Sequence, residues 1–531
     1  MDDPLFIWAA KHISVHPGDP YGFRLNWYGG VTHMSEVTMN PPLACYYLAA
    51  AGVILGWSEL ALHAAFLLPT IAVMAGIYQL ARHFCRHPLL ASLASFFTPV
   101  FLVSSTTVMC DVLMLAFWVW AILLWVEGLA REQVRFLIGS AFLVTLAVLT
   151  KYFAISLVPL LGVFGVLRKR KLGMWTSALL IPLMALGIYH FLFKVFYGRA
   201  PLFEAATYGS EVKGFVRLLS LKSESTVIGL GFAGGGLAGI VLLLPMLWRK
   251  QTIAVTAMIV CAVVAILAEA GVLLNSYGPI QGSSRNAIIL QLSFWALGGV
   301  GLLALAVDDI RCRNDADAWL LGLWVMGTFF FAAYFNWTVN GRTILPMVPA
   351  VAILVMRRLE RRAAFSAEAW PKGFALAGLV GLLLSIWVAH ADFRFASNAR
   401  ESARLTFAKY GIGPGRFWYQ GHWGFQYYMD QFGAQALDAE HTPLQRGDLI
   451  ATPDNNTNFV PLGPELVSLR EVITVPGPRF LTTMKGEVGA GFYASSRGPL
   501  PFAFGDVPVD RVFVCAIDPP PRPSVTSPSH Q

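Results

Sequence analysis

Five residues with acid or base chemistry stand where a chain this apolar has little reason to keep them. Asp2 and Asp3 open DDPLFIWAAKHISVHPGDPYGF. Asp111 sits in SSTTVMCDVLMLAFWVWA, Lys151 in LAVLTKYFAISLVPLL, and Arg342 in FFFAAYFNWTVNGRTILPMVP. Charges at membrane depth are expensive and usually mark a working site. A carboxylate can take a proton from an attacking hydroxyl. Lys holds a phosphate as a point charge, and Arg does so through a bidentate fork. Two neighbouring acids facing two cations therefore point to group transfer from a lipid-phosphate donor. Each residue also has a plainer role. Acids before Pro4 suit the start of a helix, and Asp111 suits a first turn. Lys151 can snorkel to an interface. Arg342 can anchor one beside the Asn340-Gly341 turn. Position favours function for the acidic pair. It heads a segment of about 40 residues, rich in Trp, Tyr, His and Pro, that has no reason to be so long unless it works.

The elements that must position these residues are membrane helices. Of 531 residues, 56% are hydrophobic and 13% charged, and mean hydropathy is +0.59. Soluble domains carry roughly 25% charged residues. The fold class expected is an all-α polytopic membrane protein with a small C-terminal α/β soluble domain. A span needs about 20 apolar residues. Twelve candidates follow: Leu60–Ala81, Leu89–Thr106, Val112–Leu129, Phe136–Thr150, Phe153–Leu167, Met174–Phe196, Val227–Trp248, Thr252–Leu274, Ala287–Val307, Trp319–Phe335, Thr343–Met356 and Phe374–Ala389. The net charge of +8 is not a nucleic-acid signal. Its Lys and Arg form short clusters at Arg82/Arg86, Arg131/Arg135, Arg168–Lys171, Arg249-Lys250, Arg311/Arg313 and Arg357–Arg362. These occupy every second loop, so all six can be cytoplasmic at once. Asp2, Asp3, Asp111, Lys151, Arg342 and the C-terminal domain then share the outer side.

Pro42–Trp57 is apolar but short, and is read as a juxtamembrane or re-entrant helix started by Pro41-Pro42. From about Asp392 polar residues rise and apolar runs shorten to strand length: RFWYQG, DLIATP and DRVFVCAI. HWGFQYYMDQFG reads as a helix. The expected organisation is an outer juxtamembrane loop over 1–59, a helical membrane domain over 60–390, an outer α/β domain over 391–518, and a Pro/Ser-rich disordered tail over 519–531. An outer N-terminus so close to an acidic pair also leads us to expect a further spanning helix ahead of Met1. The six cysteines have neither CxxC nor metal spacing. His12, His16 and His33 are too irregular for metal ligands and read as solvated. His422 and Trp423 read as packing or surface residues.

The order of these motifs resembles a known group. The acidic pair, then NPPLACYYLAA, TTVMCDVLMLAFWVWA, LTKYFAISLVPLL and NGRTILPMVP, is similar to the GT-C membrane glycosyltransferases. More narrowly, it resembles the bacterial glycosyltransferase family 39 and dolichyl-phosphate-mannose-protein mannosyltransferase-like group, over roughly residues 1–356. The resemblance implies transfer of a sugar from a polyprenyl-phosphate carrier, with inversion, to a lipid, glycan or protein hydroxyl. It implies an integral protein of the bacterial inner membrane with its site on the periplasmic or extracellular face. Asp3 or Asp2 would match the family's general base, Asp111 its second acid, and Lys151 and Arg342 its phosphate-holding cations. One base and two cations suffice chemically, because the leaving phosphate needs positive charge rather than a general acid. No cofactor is required by this chemistry. A divalent cation such as Mg or Mn could assist, but no complete ligand set is apparent. A polytopic transporter, or a lipid-linked glycan polymerase or ligase, are the competing readings. The long aromatic first loop and the lack of an internal repeat weigh against the transporter.

Overall fold

Inside lipid a backbone must satisfy its own N–H and C=O groups, so each apolar run becomes helix. The computed structural model describes residues 2–38, 40–202, 204, 220–274, 283–362, 372–412 and 416–518. Among them, eight helices are long and apolar enough to cross a membrane, or nine if the bent pair Pro88–Phe96 and Pro99–Ser105 counts as one span. All twelve expected spans fall on helix, but the other four are short or interrupted. The loops expected around 205–219 and 275–282, and the tail from 519, lie outside the described residues.

The interruptions have local causes. The span expected over Leu89–Thr106 bends by 70°. Pro99 lacks an N–H to continue the ladder and holds Thr98 at φ −110°, ψ 135°. Where Val227–Trp248 was expected as one span, helix Ser220–Gly236 is followed by single turns Ala238–Val241 and Leu244–Leu247. A Cβ on Gly234 would lie 1.8 Å from the Trp295 carbonyl oxygen, and one on Gly239 1.7 Å from that of Phe97. Backbones meet here at a distance only glycine permits. Pro346 divides Thr343–Met356 into Gly341–Ile344, a 3-10 turn, and Val348–Arg361. In contrast, the helix expected at Phe374–Ala389 runs unbroken over Lys372–Tyr410, so the boundary expected near residue 391 falls inside one helix. The apolar Pro42–Trp57 segment forms the short helix Leu43–Leu55.

Burial separates inner from peripheral helices. Cys110–Arg131 is largely enclosed, with Trp118 and Trp125 fully buried. Trp175–Tyr197 and Lys250–Glu269 are just as apolar, yet expose Ile188, Phe191, Phe196 and Ile266. Large apolar side chains left outside the protein need a non-aqueous surrounding. The chain is an integral membrane protein.

Contacts also sort the charges by end. His83 and Arg131 share Glu127, Lys169 meets Glu132, and Arg168 meets Asp317. Arg313 and Arg357 share Asp309, Arg358 and Arg361 share Asp308, and Arg358 also reaches the carbonyl of Leu247. The Arg86 amide donates to Glu360. All six basic clusters are thus tied together at one end of the helical bundle. The C-terminal domain covers the other end. Its five-stranded mixed sheet has the order Gln435–Ala436, Phe417–Tyr419, Leu449–Pro453, Asp510–Ile517, Val467–Val475. The first three strands are parallel, and Asp510–Ile517 runs antiparallel to both its neighbours. The helix Trp423–Phe432 makes the crossover that a parallel pair requires.

Candidate active site

Helices Cys110–Arg131 and Val134–Thr150 form an antiparallel hairpin. The first turn of one and the residue capping the other therefore lie at the same end. This brings Lys151 to Asp111, whose Oδ1 accepts from Nζ at 2.6 Å. Asp111 is 1% exposed and Lys151 18%. Arg342 reaches in from within the single-turn helix Gly341–Ile344. Its Nη1 lies 3.8 Å from Asp111 Oδ2, and its Nη2 lies 3.5 Å from Asp2 Oδ2. Asp2 stands at the N-cap of helix Asp3–Val15 but makes no capping bond through its side chain. Adjacent residues at a helix start diverge by about 100°, and Asp3 points elsewhere. Its Oδ1 accepts the Val108 amide at 3.0 Å, and the residue lines a cavity of about 430 Å³. Four of the five expected residues thus meet in one cluster. Asp3 stands on the adjoining cavity, and the loop that carries Val108 and Met109 touches both: the Val108 amide donates to Asp3, and Met109 Sδ lies 3.2 Å from Arg342 Nη1.

Arg342 is held in place by the C-terminal domain. The Gly341 amide donates to the Phe492 carbonyl at 2.8 Å. The Val339 amide donates to Ser495 Oγ at 3.1 Å, and the Ser495 amide returns to the Val339 carbonyl at 2.8 Å. The Asn340 side chain caps the short helix by accepting the Thr343 amide at 2.9 Å. A Cβ on Gly341 would come within 2.7 Å of the Phe492 ring. The Tyr493 ring centroid lies 5.8 Å from the Arg342 guanidinium carbon. Its hydroxyl donates to buried Asp392 at 2.8 Å, which also accepts from Thr483 at 2.6 Å. Burial alone would pull the Arg342 pKa down, but Asp111 and Asp2 overcome it and hold the guanidinium above its ordinary value. Phe492, Tyr493, Ser495 and Asp392 had no signal in the sequence beyond one acid, Asp392, just past the last apolar run.

Two buried atoms of the cluster, Asp111 Oδ2 and Arg342 Nε, have no hydrogen-bond partner. Leaving such groups unsatisfied costs about 1–3 kcal/mol each, so they suit a polar ligand. Among the described residues no three His, Cys, Asp or Glu side chains converge to hold a metal ion. Asp2 and Asp111 both turn toward the Arg342 guanidinium. His16 and His33 are exposed as expected. His12 is half-buried, with its ring 4.9 Å from that of Phe23. His422 is buried against Trp27, and Trp423 lines the cavity.

Residues 39–203 match the family described as dolichyl-phosphate-mannose-protein mannosyltransferase. The resemblance drawn from the sequence is met there. That stretch holds Asp111 and Lys151; Asp2, Asp3 and Arg342 lie outside it. Among solved structures, the chain is similar to the Archaeoglobus fulgidus oligosaccharyltransferase in the apo form, at 12% identity and a TM-score of 0.46. The alignment covers 82% of this chain and 60% of the archaeal one, so the chain spans less than two thirds of that relative. It is also similar to ArnT from Cupriavidus metallidurans bound to undecaprenyl phosphate, at 13% identity and a TM-score of 0.38, over 86% of this chain and 88% of that one. No curated protein matches the chain by sequence.

Proposed function

We propose that this chain is an inverting glycosyltransferase of the bacterial inner membrane. It moves a hexosyl or pentosyl group from a polyprenyl-phosphate donor to a hydroxyl acceptor, at the end of the bundle away from the six basic clusters, on the periplasmic or extracellular face. The observation that carries this reading is the cluster itself. Two cations, Lys151 and Arg342, share one buried carboxylate, while a second carboxylate stands beside a cavity. The family match over residues 39–203 supports the same class of reaction.

Lys151 and Arg342 hold the donor phosphate, with Asp111 keeping them apart and oriented until it binds. Asp2 orients Arg342 from the other side. Asp3 takes the proton of the acceptor hydroxyl. As that oxygen bonds to the anomeric carbon, the bond from this carbon to the phosphate oxygen breaks, and the phosphate leaves with the electron pair. Positive charge preorganised at the leaving oxygen stabilises the transition state. The test is transfer from a radiolabelled undecaprenyl-phosphate sugar by the purified chain in lipid. Asp3→Asn should lower turnover about 10²–10⁴-fold, the usual worth of a general base, with donor binding kept. Turnover within a few-fold of the unsubstituted chain would remove Asp3 from this role.

A further inference from the structure

The cavity beside Asp3 differs chemically from the cation cluster, and the difference identifies what enters it. It lies between helix Asp3–Val15, the loop over Thr106–Val108, helix Lys372–Tyr410 and the C-terminal domain. Its charged lining is five carboxylates, Asp3, Glu59, Asp392, Asp454 and Asp510, against two guanidiniums, Arg400 and Arg511. Both guanidiniums are already engaged. Arg400 meets Glu59 and Arg511 meets Asp454, each at 3.1 Å. Of the carboxylates, Glu59 and Asp454 face these guanidiniums and Asp510 faces Lys485 at 3.0 Å, which leaves Asp3 and Asp392; a phosphate or carboxylate entering here would meet these two acids and no unpaired guanidinium of the lining. An anionic acceptor is therefore disfavoured.

The rest of the lining is rich in rings. Trp423 and Tyr427 are four residues apart on helix Trp423–Phe432 and so share a side of it. Phe393 and Phe395 contribute from helix Lys372–Tyr410. Trp423 adopts φ +63°, a left-handed conformation that is a genuine outlier for a bulky side chain. Such strain persists only where the surroundings over-determine it, and it gathers at ligand sites. Here one side chain fixes the preceding residue. Asn456 accepts the His422 amide at 2.9 Å and donates to the His422 carbonyl at 2.8 Å. Arg497 lies 5.4 Å from the Trp423 ring centroid. Ring faces for C–H groups, bordered by carboxylate and amide acceptors for hydroxyls, match a sugar ring. The volume, near the lower end for small-molecule pockets, suits a short run of sugar units.

We propose that this cavity is the acceptor subsite, and that the acceptor is an uncharged glycan packed on Trp423 and Tyr427 with one hydroxyl directed at Asp3. The inference rests on the transferase reading above. In the step, the glycan hydroxyl oxygen forms the new bond to the donor's anomeric carbon and gives its proton to the Asp3 carboxylate. The carbon–oxygen bond to phosphate breaks, and polyprenyl phosphate leaves with that electron pair. The cation side and the acid side of the site then serve the two substrates separately.

The test uses the full chain in nanodiscs with an undecaprenyl-phosphate sugar as donor. Mannotriose is the glycan probe, compared with a Ser/Thr peptide and with an acceptor lipid bearing phosphate. Donor hydrolysis, with water as acceptor, is read in parallel because it depends on the donor side alone. Trp423→Ala should lower the ratio of transfer to hydrolysis roughly tenfold or more through a raised KM for mannotriose, in keeping with the loss of a packed ring. Saturation-transfer NMR on the unsubstituted chain should show mannotriose ring protons receiving magnetisation from aromatic resonances, which keeps the proposal testable even if Trp423→Ala misfolds. Donor hydrolysis without binding or transfer to mannotriose overturns the glycan assignment. So does preferred transfer to the peptide or the anionic lipid. A folded Trp423→Ala with an unaltered ratio overturns the placement of the subsite. No donor turnover to any acceptor, water included, instead overturns the transferase reading itself.

Discussion

Replacing Lys151 separates its pairing with Asp111 from the phosphate-holding role proposed above. Lys151→Met keeps the length and apolar stem and removes the charge. Asp111, 1% exposed, then loses its 2.6 Å donor and keeps only Arg342 at 3.8 Å. Breaking a buried ion pair by deleting one partner costs about 3–5 kcal/mol. The remaining guanidinium and the partial exposure of Lys151 bring our expectation nearer 2–3 kcal/mol in stability. If Lys151 also holds the donor phosphate, a further charge-assisted bond worth about 1.5–3 kcal/mol is lost. That is roughly a 10- to 150-fold fall in kcat/KM for the donor. The two losses part company in the double variant Lys151→Met with Asp111→Asn. It leaves no unpaired buried charge, so stability should return to within about 1 kcal/mol of the parent. Donor use should stay low, because nothing replaces the cation. Thermal unfolding in detergent and donor-saturation kinetics on the four proteins of the cycle give both terms. If the double variant regains parental kcat/KM, Lys151 serves only to neutralise Asp111, and the phosphate assignment is wrong.

Three shorter expectations follow from the same geometry. Gly341→Ala places a methyl 2.7 Å from the Phe492 ring; it should destabilise by about 1–3 kcal/mol, as overpacking does, and lower donor kcat/KM by shifting Arg342, whereas parental kinetics would sever the link between the C-terminal loop and the cation. Burial holds His422 at a pKa of about 4, below the ordinary 6.5. Its unfolded form therefore binds the extra proton between those values, and stability should fall as pH drops through that window, by about 3 kcal/mol in all, while being fully present above it; His422→Gln should flatten the loss in thermal unfolding at pH 4.5 against 7.5, and an unchanged slope would refute this cause. In a cysteine-free background, a Cys at Arg446 should react with an impermeant reagent in intact cells and a Cys at Arg170 should not; the reverse pattern would invert the topology proposed above.

What could be read from the sequence was whatever rests on local pattern. Apolar length gave the helices, because lipid forces every span to close its own hydrogen bonds. Apolar runs shortened to strand length among rising polar residues gave RFWYQG, DLIATP and DRVFVCAI as strands, and HWGFQYYMDQFG read as the helix between two of them. The basic clusters in every second loop also put Asp111 and Lys151 on the same side of the membrane. The breaks were less legible. Pro99 and Pro346 were visible as residues, but whether a proline bends a span or ends it depends on neighbours. The triple glycine at Gly234–Gly236 shows its purpose only once Trp295 is known to press against it.

The divergence of Asp2 and Asp3 was hidden for a different reason. Nothing in two identical neighbours says which will turn to Arg342 and which to Val108. That choice is made by two partners far along the chain, the loop before Cys110 and the turn at Asn340. The second of these is fixed in turn by Phe492 and Ser495, about 150 residues further on. The C-terminal domain therefore has a role that its composition does not announce. It covers one end of the bundle, clamps the turn that carries Arg342, and lends Trp423 and Tyr427 to the lining of the adjoining cavity. If the domain were a detachable appendage, substitutions at the Gly341–Phe492 contact would leave donor kinetics untouched. The hydrogen bonds from Gly341 to Phe492 and between Val339 and Ser495 argue that Arg342 is brought to Asp111 and Asp2 only when this domain is docked.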